Sequence, residues 1–535
     1  MEVLLLGHYE LGRQSFGLAS AAAWLRAAGC TVEARDLSRQ PLPLPLLRRA
    51  RLIALYLPMH TATRLAASLL PRLRREAPSA TICCCGLYAP LNADYLRRLG
   101  ADSILGPEFE ADLAALAQNL PQAPSSPAAA TWRGPERSDE NRQSGVRSQR
   151  GEAAGQPGRA AYRGVREQAR LAENEAPRSL SPRPIAATCR GPERSGPPLP
   201  AVEAGPQPRP TGAASRIRAA PPPSSGLPRL RFLAPERAGL PPLADYARLV
   251  TAGGARVTGY TEASRGCKHL CRHCPIVPVY GGRFRVVAAD VVLEDVRRQV
   301  AAGAEHITFG DPDFFNGPAH ALRIVRALHA AFPRLTYDVT IKIEHLLAQA
   351  RWLPELRATG CVLVTSAVES LDDAVLERLD KGHTRADFER VLPLLADHGL
   401  AFNPTFVPFT PWITPEGYRE LLRALAALGL AEAVAPIQLG IRLLLPRGSR
   451  ILELPDAGEW LGEFDEATLS YRWRNPDPAV EDLHARVQSA IAAGVKRGAP
   501  RADIFAAICR AAAVPPPEQL PPRELIPYLD EPWFC

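Results

Sequence analysis

Ser264-Arg265-Gly266-Cys267-Lys268-His269-Leu270-Cys271-Arg272-His273-Cys274-Pro275 sets three thiols at C-x3-C-x2-C spacing within one loop. Three thiolates so close in sequence point to metal ligation. They can hold three irons of a cubane cluster and leave the fourth open to the amino and carboxylate groups of a small molecule. Cys267, Cys271 and Cys274 with His269 or His273 also make up a Cys3His zinc set. What surrounds the loop separates the two readings.

The loop closes an apolar stretch at 259–264, and further strand patterns follow at 306–310, 336–341, 362–368, 402–406 and 437–445. Helical spacing fills the intervals at 291–302, 319–331, 346–359, 386–398 and 415–428. Six strand–helix units in a row predict a partial (β/α)6 barrel of the TIM type, with functional groups at the carboxyl ends of its strands. Structural zinc sites seldom open such a face, so the position favours an iron–sulfur cluster.

Upstream, strand patterns at 3–6, 31–36, 52–57, 80–85 and 103–105 alternate with helical ones at 20–28, 64–76 and 92–99. That order predicts an α/β, doubly wound, flavodoxin-like sheet that binds ligands at the carboxyl ends of its strands. Between the two domains the periodicity stops, and the segment is expected to be disordered. It contains one repeat, Ala130-Thr131-Trp132-Arg133-Gly134-Pro135-Glu136-Arg137-Ser138, which returns with Cys for Trp at 187–195. The expected organisation is 1–117, an amino-terminal α/β domain; 118–228, a linker; 229–455, the barrel; and 456–535, a small helical region.

The chain has 535 residues and a formal charge of +8. Residues 121–230 hold 17 arginines against 9 acids, which accounts for the whole excess. The folded parts therefore present no net basic field, and nucleic acid is not an expected partner. Neither a basic leader nor an apolar run of spanning length is present, so a cytoplasmic protein away from membranes is expected. Eleven cysteines in a reducing compartment argue for metal or redox chemistry over disulfides.

The cysteine loop at the end of the first barrel strand resembles the signature of radical S-adenosylmethionine (SAM) enzymes, over about 230–450. The resemblance implies a [4Fe-4S] cluster on Cys267, Cys271 and Cys274 that reductively cleaves SAM, with a flavodoxin or ferredoxin as electron donor. His273 stands where that family usually has an aromatic residue against the adenine. Gly310-Asp311-Pro312-Asp313-Phe314-Phe315-Asn316 lies where the family commonly holds the methionyl amino group, which makes Asp311 or Asp313 a cofactor ligand. Ser366-Ala367-Val368-Glu369-Ser370 and Lys381-Gly382-His383-Thr384 look like the family's Glu-Ser and Lys-Gly-x-Thr elements, with Ser366 as a cofactor contact and Glu369 as a catalytic candidate.

Alternation in the third strand puts Thr340, Lys342 and Glu344 on its lumenal face, where Lys342 and Glu344 either meet cofactor or substrate or form a structural ion pair. On the sixth strand, Gln438 and Arg442 are candidates for the cofactor carboxylate, with a rim salt bridge as the alternative. The amino-terminal domain resembles the cobalamin-binding domain of cobalamin-dependent radical enzymes. In Gly7-His8-Tyr9-Glu10-Leu11-Gly12 the ligand slot of the histidine-type families is Tyr9, so cobalamin is expected to bind without a histidine on cobalt. Gly12 and Gly86 sit in the turns expected to meet it. Cys83, Cys84 and Cys85 read as small buried strand residues.

Together these readings imply a radical SAM enzyme acting on a small-molecule or peptide substrate, by cobalamin-dependent group transfer or by hydrogen abstraction. The competing reading is a non-catalytic iron–sulfur or zinc protein that binds RNA through its basic linker. The tail Tyr528-Leu529-Asp530-Glu531-Pro532-Trp533-Phe534-Cys535 resembles that of a radical SAM family named for its CUAEP or CCAEP terminus. This resemblance implies a selenoprotein whose chain continues past Cys535 as selenocysteine-Ala-Glu-Pro, which the coding sequence would test.

Overall fold

A computed structural model describes residues 2–120, 230–517 and 526–530. The expected linker at 118–228, apart from its first three residues, the repeat and Cys535 lie outside the described residues.

Five strands, β1 (Glu2–Gly7), β2 (Thr31–Asp36), β3 (Leu52–Tyr56), β4 (Thr81–Cys85) and β5 (Ser103–Leu105), form a parallel sheet in the order β2-β1-β3-β4-β5. Alternate residues of the apolar runs feed two cores, Leu4, Leu6, Ile53 and Leu55 on one face and Val3, Leu5 and Ala54 on the other. A strand buried on both faces is what such continuous apolar runs encode. Ser15 caps the first helix, Phe16–Ala27, by accepting from the Leu18 amide. The strand order reverses beside β1, so the crevice for a ligand opens at the carboxyl ends of β1 and β3. A helix at Glu110–Asn119 completes this domain and runs past the expected boundary at 117.

The second sheet is a curled half-barrel. Strands β6 (Arg248–Thr251) and β7 (Gly254–Thr261) pair antiparallel. From β7 the sheet continues in parallel through β10 (His306–Phe309), β11 (Thr336–Thr340), β12 (Cys361–Glu369) and β13 (Ala401–Phe406). Between β7 and β10 a small hairpin, β8 (Ser264–Gly266) with β9 (Phe284–Val286), frames the cysteine loop. Thr384 and Asp387 form a reciprocal capping box at the helix Arg385–Asp397, and Thr414 caps Pro415–Ala427 by accepting from Gly417.

Three expectations need correction. The sixth strand at 437–445 is a 3-10 turn, Pro436–Gly440, followed by a single bridge between Phe409 and Arg442. Gln438 explains the change, because its side-chain oxygen accepts from the Phe406 amide at 3.2 Å and takes the edge donor a sixth strand would use. The third strand stops at Thr340, with Lys342 extended and Glu344 on the helix Ile343–Ala348, so the two do not alternate along a strand. The carboxyl-terminal region is not all helical, since β14 (Leu461–Asp465) and β15 (Ser470–Trp473) form a hairpin ahead of the helices Pro478–Arg497 and Arg501–Ala511. The opposite edge of the large sheet gains β16 (Tyr528–Leu529), antiparallel to β6, with Asp530 accepting from the Arg248 amide at 2.7 Å. Among the described residues no helix is long and apolar enough to cross a membrane.

Candidate functional site

The cysteine loop is fastened at both ends. Asp311, following β10, accepts from the Ala263 amide at 2.8 Å and from the Ser264 hydroxyl at 2.5 Å. Burial pushes its carboxyl up to about 7. Both oxygens are thereby committed to the start of the loop. Gly266 has φ +76°, and a β-carbon there would lie 2.4 Å from the Arg283 carbonyl oxygen. Only glycine permits the hairpin to close this tightly. Downstream, the Arg272 amide donates to the Leu379 carbonyl at 2.9 Å, and Ser449 donates to the Arg272 carbonyl at 3.1 Å.

Cys267, Cys271 and Cys274 are free thiols, and Cys271 is buried. Asn316 accepts from the Lys268 amide at 3.1 Å and from the Cys267 thiol at 3.8 Å. Lys342 Nζ lies 3.8 Å from Cys271 Sγ and 3.3 Å from Glu344, so the Lys342–Glu344 pair forms beside the thiols although β11 has already ended. Among the described residues one set of His, Cys, Asp or Glu has its ligand atoms all within 4.8 Å, and it is not the three thiols. Neither histidine completes a Cys3His set, because His273 turns to Glu369 and His269 to Asp313.

Glu369 ends β12 with φ +70°, a strained conformation for a residue with a side chain, beside a register shift against β13. Its Oε1 lies 3.1 Å from His273 Nε2 and 3.4 Å from Lys381 Nζ. Burial alone would push its carboxyl up, but Lys381 and His273 outweigh it and hold the group down at about 2. Close by, the buried Ser366 Oγ has no hydrogen-bond partner, and His383 is buried beside it. Unpaired polar groups at the carboxyl ends of barrel strands are what a polar ligand such as SAM would satisfy. Sequence reasoning quoted Lys381 and His383 only as parts of a motif; the left-handed Asp380 before them turns the chain back toward β12.

Asp313 is fully buried and caps the short turn Phe314–Asn316 by accepting from the Phe315 amide at 3.1 Å. Its other oxygen is 2.7 Å from His345 Nδ1 and 3.4 Å from His269 Nε2. Burial, which would raise its carboxyl pKa, is outweighed by these two imidazoles, which hold it below the ordinary range. His345 was missed at the level of sequence, since a histidine on a short helix after a strand carries no spacing signal.

Gln438 and Arg442 are engaged elsewhere. Gln438 is the side chain that stops the sixth strand, and Arg442 pairs with Glu481 at 2.6 Å and 2.9 Å with its guanidinium 3.7 Å from the Trp473 ring centre. Arg442 thus forms the rim salt bridge that was the alternative to a contact with the cofactor carboxylate.

At the amino-terminal sheet, Gly86 has φ +111°, and a β-carbon there would sit 2.9 Å from the Leu57 carbonyl oxygen. Gly12 has φ +70° in the turn after β1. The buried His8 Nε2, Glu10 Oε2 and Arg13 Nε in that turn have no hydrogen-bond partner. Burial pushes Glu10 up to about 8 and His8 down to about 4. These groups face the barrel, with Arg13 over the Tyr260 ring at 5.2 Å. A seam with unpaired polar atoms between the carboxyl ends of two sheets suits a large polar cofactor. Cys83, Cys84 and Cys85 are buried in β4, and burial pushes the Cys83 thiol up to about 12.

Residues 261–428 match the model of the Radical SAM superfamily. The chain is 26% identical over 196 residues to a tRNA-2-methylthio-N(6)-dimethylallyladenosine synthase of Geobacter sulfurreducens, covering 34% of this chain and 43% of that protein. It is 26% identical over 150 residues to a bacteriochlorophyllide d C-12(1)-methyltransferase of Chlorobaculum tepidum, covering 27% of this chain and 32% of that protein. The chain thus spans less than half the length of these curated relatives. Among solved structures, it is similar to the radical SAM methyltransferase TsrM from Kitasatospora setae with tryptophan and a SAM analogue bound. There the TM-score is 0.57 at 16% identity, over 92% of this chain and 89% of that one. The cobalamin-dependent SAM radical enzyme OxsB, with aqua-cobalamin and SAM bound, matches with TM-score 0.58 at 11% identity, over 94% and 72%. At such identities the likeness is one of fold.

Proposed function

We propose that this chain, with its radical SAM domain at 261–428, is a cobalamin-dependent radical SAM enzyme that transfers a methyl or related group to a small-molecule or peptide substrate. The observation that carries the proposal is the set of three free thiols fastened at the carboxyl end of the first barrel strand, in a chain that also has an amino-terminal five-stranded parallel sheet. A [4Fe-4S] cluster on Cys267, Cys271 and Cys274 would supply the electron that cleaves SAM, and cobalamin in the seam would supply the carrier for the transferred group.

The protein's own residues then have distinct tasks. Lys342 sets a positive charge beside the Cys271 sulfur, which makes adding an electron there less costly. Glu344 holds Lys342 in place. Glu369, kept ionised by Lys381 and His273, would accept hydrogen bonds from SAM, and Ser366 and His383 would offer further polar contacts. His273 presents its ring beside the third cysteine. Gly12 and Gly86 keep the turns after β1 and β4 tight, which brings backbone close to the seam, and with Tyr9 in the ligand slot of the histidine-type families cobalamin would bind without a histidine from that position. A flavodoxin or ferredoxin is the proposed reductant. The basic linker needs no role in this chemistry, and RNA binding by a non-catalytic protein is not favoured.

The test is anaerobic reconstitution with iron and sulfide, then reduction in the presence of SAM with and without hydroxocobalamin. Cleavage to 5′-deoxyadenosine or, by methyl transfer, to S-adenosylhomocysteine supports the reading. Cys267→Ala, Cys271→Ala and Cys274→Ala are each expected to abolish both cluster absorbance and cleavage, whereas Cys83→Ala and Cys361→Ala leave iron content unchanged. Full iron and full cleavage in any loop mutant would reject the assignment.

A further inference from the structure

The group formed by His269, Asp313 and His345 is used by none of this chemistry. Their ligand atoms lie within 4.8 Å of one another, brought together from the cysteine loop, the turn after β10 and the helix after β11. Asp313 Oδ2, His269 Nε2 and His345 Nδ1 are buried atoms, and none has a hydrogen-bond partner of acceptable geometry, although two pairs stand at 2.7 Å and 3.4 Å. The two imidazole rings are 4.6 Å apart and tilted by 58°. Two imidazoles and one buried carboxylate thus converge on a single point.

We infer that this point is a mononuclear site for a divalent first-row transition ion, bound by two imidazole nitrogens and one carboxylate oxygen. Bonds of about 2.0–2.2 Å in tetrahedral array separate ligand atoms by about 3.4 Å, within the range from 2.7 Å to at most 4.8 Å that these atoms span. Two nitrogens and one oxygen leave an open coordination position and suit zinc or ferrous iron. The surroundings are built for it. The second Asp313 oxygen is held by the Phe315 amide, which fixes the carboxylate plane. Glu344 Oε2 lies 3.7 Å from His269 Nδ1, a carboxylate facing the far ring nitrogen. Glu344 also holds Lys342, which reaches the Cys271 sulfur. The site therefore touches the cysteine loop twice, through His269 and through this pair.

The site stands on its own geometry and does not need the radical reading. Protein reconstituted with iron and sulfide is equilibrated with zinc, desalted, and analysed for both metals, and its zinc absorption edge is recorded. The expected result is about one zinc per chain in addition to the cluster iron, with only nitrogen and oxygen in its first shell. Asp313→Asn and His345→Gln are each expected to weaken zinc binding at least about tenfold while cluster absorbance stays at the parent level. Asn at 313 keeps the acceptor for the Phe315 amide, so loss of zinc there is not loss of the turn. Absence of bound zinc, sulfur in its shell, or unchanged affinity in both variants would overturn the site. Failure of iron to load, with zinc still bound by nitrogen and oxygen, would count against the cluster and leave this site standing.

Discussion

Burial and pairing set the carboxylates of this site apart in opposite directions. Glu369 is held near 2 by Lys381 and His273 against the effect of its burial, whereas Asp311, with neutral partners, is pushed up to about 7. Glu369→Gln removes the charge but little volume, and is expected to lower SAM cleavage at least about tenfold with unchanged iron content; equal cleavage rates would remove Glu369 from the site. For Asp311 the consequence is stability. Between its ordinary value of 3.8 and about 7 the folded chain binds a proton that the unfolded chain has released. Stability therefore falls as pH rises through that window, by at most about 1.4 kcal/mol per pH unit. Asp311→Asn mimics the protonated form, so urea titrations at pH 5 and pH 7.5 should differ less for the variant than for the parent. An undiminished difference would mean that the carboxyl is already ionised at pH 5.

At the scale of elements, legibility followed periodicity. The parallel strands of both sheets were readable because their apolar runs are buried on both faces, as with Leu4 and Leu5 in β1. The sixth barrel strand misled because Ile437, Leu439 and Leu443 carry an apolar pattern that is met without a strand, with Leu439 buried in the 3-10 turn and Leu443 buried beyond it. What decided the outcome, a side-chain oxygen of Gln438 on the Phe406 amide, is a tertiary contact with no local signature. The short strands β8 and β9 were invisible for a related reason, since Ser264-Arg265-Gly266 and Phe284-Arg285-Val286 are three residues each around an arginine and carry no apolar run. Gly266 nevertheless controls that hairpin. Gly266→Ala sets a methyl against the Arg283 carbonyl at φ +76°. It is expected to cost more than about 1 kcal/mol and to reduce cluster iron well below the parent level, measured after identical reconstitution. Parent iron and an unchanged urea midpoint would show that the loop closes without help from the hairpin.

At the scale of the molecule, the amino-terminal domain is fastened to the very strand that carries the cysteines. Arg265, two residues before Cys267, is buried between the rings of Phe16 and Phe232 at 5.5 Å and 5.0 Å. Its guanidinium lies 2.7 Å from Glu110 of the amino-terminal domain and 2.7 Å from Glu262 of the barrel. Tyr280, in the loop after the cysteines, donates to Glu108 at 3.0 Å. None of this was legible, since charged residues 155 positions apart give no sequence signal of their pairing. Removing one partner of a buried pair leaves the other charge uncompensated and is strongly destabilising, by about 3–5 kcal/mol. Arg265→Met is expected to cost that much in urea titrations and to loosen the cysteine loop, lowering iron retention with it. The coupling is read by a double-mutant cycle with Glu110→Gln. If the ion pair joins the domains, Glu110→Gln destabilises the parent chain more than the Arg265→Met chain, because in the latter it removes a charge that has already lost its partner. Strict additivity of the two substitutions would instead mean that Arg265 is held by Glu262 and the two aromatic rings, and that the amino-terminal domain reaches the cysteine loop through Phe16 and through the bond from Tyr280 to Glu108.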